Sequence, residues 1–279
     1  MRIRVVDAFS ERAFAGNPAG VCLLGPDGWP DAGWMQRVAA ELNLAETAFA
    51  YPTPLDADAD WGLRWFTPLA EVDLCGHATL ATAHVLGEDT GQSGTVRFSS
   101  RSGVLVTHRD ADGEIVLDFP RAEVTERDVP DGFAEALGAK PEAVFGTGAL
   151  RDLLAVLPDE AAVRGLEPDM TALLKQARRD GLRGVIVTAP ATSGAEYDYV
   201  SRFFAPVVGI PEDPVTGSAH TALAPYWARR LGRDGLVGLQ ASARTGSVRT
   251  SVHGDRVHLA GRAVTVLDGT LLAGGLGGN

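Results

Sequence analysis

Arg64-Trp65-Phe66-Thr67-Pro68-Leu69-Ala70-Glu71-Val72-Asp73-Leu74-Cys75-Gly76-His77-Ala78-Thr79-Leu80-Ala81 is echoed later in the chain by Arg202-Phe203-Phe204-Ala205-Pro206 and Glu212-Asp213-Pro214-Val215-Thr216-Gly217-Ser218-Ala219-His220-Thr221-Ala222-Leu223-Ala224. Both copies read as an Arg-aromatic-aromatic-x-Pro strand end, an acidic turn, a glycine and an Ala-rich apolar helix. The offset is about 138 residues at the prolines and about 141 at the glycines, so a few residues are inserted inside one turn. Beyond the helices, Arg101-Ser102-Gly103-Val104 is answered by Arg244-Thr245-Gly246-Ser247, each followed by alternating strand sequence. A repeat of this length is two copies of one supersecondary unit, and the expectation is a pseudo-symmetric molecule with a cleft between its halves.

The rest of the chain fits that plan. Met1 to Phe9 alternates as a first strand, and Phe14-Ala15-Gly16-Asn17-Pro18-Ala19-Gly20 signals a tight loop before a strand at Val21-Cys22-Leu23-Leu24. Cys22 reads as a small core residue. Pro30-Asp31 opens a helix with Trp34, Met35, Val38, Ala39 and Leu42 on its core face. Asn43 to Ala50 passes from that helix into another strand, which puts Glu46 at an element boundary, where scaffolds present chemistry.

After Ala81 the second helix is expected to end near Gly87, and Thr95 to Asp118 reads as strands broken at Gly103 and Asp112-Gly113. Weak periodicity and two prolines place a domain junction within Phe119 to Pro130. The expected halves are 1–118, completed by 266–279, and 119–279. The second opens with a short helix from Gly132, a strand at Leu153 to Leu157, a helix from Asp169 to Arg179 and a strand at Gly184 to Ala189. Gly274-Gly275-Leu276-Gly277-Gly278 opens no helix and reads as a frayed tail, not a phosphate loop.

Composition narrows the function. The chain has 279 residues, enough for two domains, and a formal charge of −11 with no Lys/Arg cluster, which argues against nucleic acid. No apolar run reaches the roughly 20 residues that span a bilayer, and the N-terminus lacks a signal-peptide core. With two cysteines and no disulfide framework, the expected location is the cytoplasm.

Gly76 and Gly217 each precede a helix, so unpaired N–H groups near Gly76-His77 and Gly217-Ser218 could bind an anion, a small carboxylate being the natural ligand. Ordinary capping by Asp73 and Thr216 is the plainer alternative. Asp213, Ser218, His77 and Glu46 form a candidate constellation in which a carboxylate moves a proton on carbon while hydroxyl and imidazole hold the substrate. Thr216-Gly217-Ser218 lacks the strand-elbow context of a serine hydrolase. Cys75, at a helix start, is either a thiolate base or a packed residue, and the symmetric place offers no second cysteine, only Pro214 or Val215. No metal is expected: His77 and His84 are seven apart on one helix, and His108, His253 and His258 read as surface or cross-strand residues. His84 reads as packed and His220 as a supporting group.

Val6-Asp7-Ala8-Phe9, Gly16-Asn17-Pro18-Ala19, Asn43-Leu44-Ala45-Glu46-Thr47, Cys75-Gly76-His77-Ala78-Thr79-Leu80 and Glu212 to Ala219 together resemble the PhzF family of phenazine-biosynthesis-like isomerases, which has the diaminopimelate epimerase fold. The resemblance implies an α+β chain of two pseudo-symmetric halves, each a mostly antiparallel curled sheet around a central helix. It also implies an active site between the halves, no cofactor or metal, and a homodimer. Carried over by motif, Glu46 is the acid/base, and His77, Asp213 and Ser218, with the backbone at Gly76 and Gly217, bind substrate. Asp73, Cys75, Ala78 and His220 resemble the uncharacterised branch of the family and imply a more polar site than that of the phenazine enzyme.

Overall fold

The structure, a computed structural model of the chain, describes residues 1–54, 58–92 and 94–272. The glycine-rich stretch Gly274 to Gly278 lies outside the described residues. The chain divides into two compact units, one of Met1–Asp118 with the chain from Ala260 onward, the other of Phe119–Leu259.

In the first unit the elements are β1 (Arg2–Ala8), β2 (Asn17–Leu23), α1 (Ala32–Leu42), β3 (Glu46–Pro52), β4 (Trp61–Phe66), β5 (Glu71–Val72), α2 (Gly76–Thr90), β6 (Thr95–Ser100), β7 (Gly103–Arg109) and β8 (Ile115–Pro120). The closing strand Ala263–Thr270 pairs antiparallel with β1, which also pairs antiparallel with β2. β2 runs parallel to β3, β3 antiparallel to β4, β4 parallel to β6, and β6, β7 and β8 follow as an antiparallel meander.

α2 is the central helix. His77 to Ala83, Val85 and Leu86 are all buried, so it is covered all round by the curled sheet instead of showing one wet face. Full burial of Leu80 and Leu86 is worth about 2 kcal/mol each. The helix runs past Gly87 to Thr90 and ends on Gly91 in the left-handed region. A Cβ at Gly87 would lie 2.7 Å from the mobile tip of the Arg109 side chain, with its other neighbours at 3.5 Å. α1 covers the other face of the sheet, with Met35, Val38 and Ala39 packed on Ile3, Cys22, Phe49 and Phe66. Asp31 caps it by accepting the Trp34 N–H at 3.0 Å. Cys22 is fully buried and burial pushes its thiol up to about 12, as befits an inert core residue.

The Asn-Pro stretch read as loop is strand. β2 begins at Asn17, paired with Ala8, and the reversal is made earlier by Phe9, Phe14 and Gly16, all at positive φ. Gly16 is required there: a Cβ would sit 2.2 Å from the Ala8 carbonyl oxygen.

The second unit contains β9 (Thr125–Arg127), α3 (Phe133–Leu137), β10 (Ala143–Gly146), β11 (Asp152–Val156), α4 (Glu160–Arg164), α5 (Met170–Asp180), β12 (Gly184–Pro190), β13 (Tyr199–Ala205), β14 (Ile210–Asp213), α6 (Gly217–Leu231), β15 (Gly235–Gln240), β16 (Gly246–His253) and β17 (Arg256–Gly261). The sheet alternates its side chains between two cores. Leu153, Ala155, Val185 and Val187 face α3 and α5, while Leu154, Val156 and Ile186 face α6. Like α2, α6 is buried along most of its length.

The repeat has a structural cause. β4 pairs with β5 and runs parallel to β6, and β13 pairs with β14 and runs parallel to β15. In each copy the strand arginine makes a two-point ion pair with the glutamate of the next short strand: Arg64 to Glu71 at 2.6 and 2.7 Å, and Arg202 to Glu212 at 2.7 and 3.0 Å. Each guanidinium also lies over the aromatic ring two residues on, Phe66 at 5.2 Å and Phe204 at 4.9 Å. The inserted residues form a 3-10 turn, Pro206–Val208, closed by Gly209 at positive φ. Among the described residues no helix is long and apolar enough to cross a membrane.

Candidate active site

In the first unit, Glu46, Cys75, His77 and Asn17 converge. Glu46 is the first residue of β3, Asn17 the first of β2, and Cys75 and His77 flank the start of α2. His77 Nε2 lies 3.2 Å from Glu46 Oε2, and both side chains are largely buried, 6% and 12% exposed. Asn17 Nδ2 is 3.2 Å from His77 Nδ1, and Cys75 Sγ is 3.6 Å from the same nitrogen. Burial pushes the His77 pKa down to about 3, so the ring is neutral. A neutral ring that accepts from Asn17 at Nδ1 carries its proton on Nε2, the nitrogen nearest Glu46.

Asp7, itself buried, accepts the Phe14 N–H at 2.6 Å and so fixes the reversal that delivers Asn17. Neither expected cap is made. The α2 N-cap is Cys75 and that of α6 is Thr216, both without a side-chain cap hydrogen bond. Asp73 stands apart, its carboxylate 77% exposed beside Arg101. It cannot cap α2 from there.

In the second unit, Asp213 closes β14 and accepts the Thr216 hydroxyl at 2.5 Å. Gln240, fully buried on β15, clamps the intervening turn. Its Oε1 accepts the Thr216 N–H at 2.8 Å, and its Nε2 donates to the Asp213 carbonyl at 2.7 Å. Ser242 adds a bond to the Pro214 carbonyl at 2.8 Å. Thr216 therefore serves the turn, not the helix. Ser218, in the first turn of α6 after Gly217, accepts from Arg183 Nη2 at 2.9 Å. Arg183 also pairs with Asp152 on β11, whose side chain is fully buried. Burial raises the Asp152 pKa, and Arg183 opposes that shift.

Asn17, Gln240 and Arg183 escape a reading of the sequence. Asn17 hides behind a turn signal, and the other two act across strands at separations that no local spacing reports. His220, read as a supporting group, is fully buried and meets the Tyr199 hydroxyl at Nδ1, 2.9 Å away. The rings of His253 and His258 lie together, 4.4 Å between centroids.

Burial lowers the His220 pKa from 6.5 to about 3, against a smaller upward pull from Gln240. Below pH 6.5 the unfolded chain takes up a proton that the folded one refuses. This group's contribution to stability is therefore fully present above pH 6.5 and is lost as pH falls toward 3, by up to about 1.4 kcal/mol per pH unit. Urea unfolding over that range should show a shallower slope for His220→Gln than for wild type. Equal slopes would remove His220 from the account.

The family model of the phenazine biosynthesis-like proteins matches residues 6–269. The chain is 47% identical over 269 residues to an uncharacterized isomerase of Pseudomonas aeruginosa, covering 95% of this chain and 96% of that one. It superimposes on a PhzF-family protein of Enterococcus faecalis with a TM-score of 0.87 at 40% identity, covering 96% and 97% of the two chains. A predicted epimerase of Pseudomonas aeruginosa, 23% identical with a TM-score of 0.73 over 98% of this chain and 99% of its own, shares the fold. With the α+β fold of curled sheets around central helices and a family match over nearly its whole length, the chain belongs to the phenazine biosynthesis-like, PhzF family of isomerases.

Proposed function

We propose that the protein moves a proton between carbons of a small carboxylic acid, with Glu46 as the general acid/base. The observation that carries this is the 3.2 Å approach of Glu46 to a histidine ring that burial holds neutral. A neutral ring makes no ion pair with the carboxylate beside it, which leaves that carboxylate for proton transfer at carbon. The α2 N-terminus beside it, with no side-chain cap, favours a substrate carboxylate through its N–H groups and dipole. The step uses groups of the chain alone and returns the proton it removes.

A second reading has one observation in its favour: Cys75 Sγ lies 3.6 Å from a ring nitrogen of His77, as in an activated thiol. In a one-thiol racemase Cys75 would be one base, with a carboxylate such as Glu46 as the other. The variant Cys75→Ala separates the two. The Glu46 reading expects turnover within about tenfold of wild type, because general-base catalysis is untouched. Loss of all turnover in a folded Cys75→Ala protein would transfer the assignment to the thiol.

A further inference from the structure

We propose that Glu46, Cys75 and His77 also form a binding site for a soft divalent cation of the zinc class, which silences the proton shuttle when bound. One donor atom from each residue lies within 4.8 Å of the other two. His77 Nε2 is 3.2 Å from Glu46 Oε2 and 4.0 Å from Cys75 Sγ. Ordinary zinc bond lengths give tetrahedral edges of about 3.3 Å between nitrogen and oxygen and about 3.6 Å between nitrogen and sulfur. Closure around an ion leaves the first edge nearly unchanged, shortens the second by about 0.4 Å, and brings the Cys75 sulfur, now 3.6 Å from Nδ1, round to the Nε2 side, with the oxygen–sulfur edge shortening by up to about 1.2 Å.

Donor chemistry selects the ion. One thiolate, one imidazole and one carboxylate suit zinc, whereas magnesium and calcium prefer oxygen alone. Thiolate and carboxylate together carry the two negative charges that neutralise a divalent ion, which makes the occupied site tolerable in buried surroundings. Three protein ligands leave a fourth position for water.

On binding, the Cys75 thiol proton leaves to solvent and the ring proton passes from Nε2 to Nδ1, where the Asn17 amide, turned about, accepts it. The spacing of His77 and His84 conceals such a site in the sequence, because the third donor comes from another element. A coordinated Glu46 cannot take a proton from substrate. That inhibition rests on the proton-shuttle reading; the binding itself does not.

Cobalt(II), titrated into full-length protein freed of metal by a chelator, is the probe. The expected result is one equivalent bound with tetrahedral visible bands and a thiolate-to-cobalt charge-transfer band. Cys75→Ser should lose that band, and Asn17→Ala should weaken binding about 10- to 100-fold, as for groups that orient a ligating histidine. Circular dichroism confirms that the variants are folded. An octahedral spectrum without the charge-transfer band in wild type, or a band that survives Cys75→Ser, would overturn the proposal. Proton exchange is assayed on the metal-free protein, so failure of the shuttle and failure of the metal site are read separately.

Discussion

Glu46→Gln is expected to lower turnover by roughly 10²–10⁴-fold, the usual worth of a positioned acid/base, while substrate affinity stays within a few-fold of wild type. The amide keeps the volume and planar shape of the carboxyl group, so the contact with the His77 ring, whose Nε2 lies 3.2 Å from Glu46 Oε2, is preserved. What disappears is the ability to hold a proton between two carbons. Binding by isothermal calorimetry and turnover by a coupled or chromatographic assay give the two numbers. A variant that loses affinity in proportion to turnover would make Glu46 a binding group instead.

The largest effect on stability is expected from Tyr199→Ala, about 4 kcal/mol or more by urea unfolding. Tyr199 is fully buried on β13, stacked on Trp227 with ring centroids 5.9 Å apart, and its hydroxyl meets His220. Its ring also fills the space opposite Gly238 on β15, where a Cβ would lie 2.4 Å from the ring. Truncation therefore opens a cavity against a glycine that cannot fill it, and strips a buried histidine of a partner. Tyr199→Phe keeps the packing and should cost only about 1–3 kcal/mol, the loss of that hydrogen bond. Equal losses for the two variants would place the whole effect on the hydroxyl.

The architecture was legible because the repeat is written in residues that do a visible structural job. Arg64 with Glu71 and Arg202 with Glu212 make the same ion pair over the same ring position, so the pattern survives in the sequence. Helix starts with an aspartate cap, such as Asp31 and Asp169, were equally plain. Termination at Gly87 failed because a glycine in helical conformation does not stop a helix; the stop is Gly91, which takes the left-handed conformation. The capping roles of Asp73 and Thr216 failed for a related reason: a polar residue before a helix signals a cap only if its side chain turns inward. Asp73 faces solvent and Thr216 is engaged by Asp213.

At the candidate site, Glu46 could be placed at an element boundary from the pattern alone, but its meeting with His77 could not. That contact joins the first residue of β3 to the first turn of α2, and its sequence trace is limited to two short motifs. Asn17 was obscured because Gly-Asn-Pro reads as a turn, whereas Gly16 makes the reversal and frees Asn17 to begin a strand. Gln240 gave no trace at all, since a glutamine on an alternating strand looks like any surface residue until the fold buries it.

The most direct test of the central claim is proton NMR in heavy water on the metal-free protein with a panel of small carboxylic acids, including amino acids and cyclic diene acids. The account predicts deuterium entering at a carbon of an acid that binds, with the exchange abolished in Glu46→Gln and retained in Cys75→Ala. Deuterium entry that continues unchanged in Glu46→Gln would contradict it.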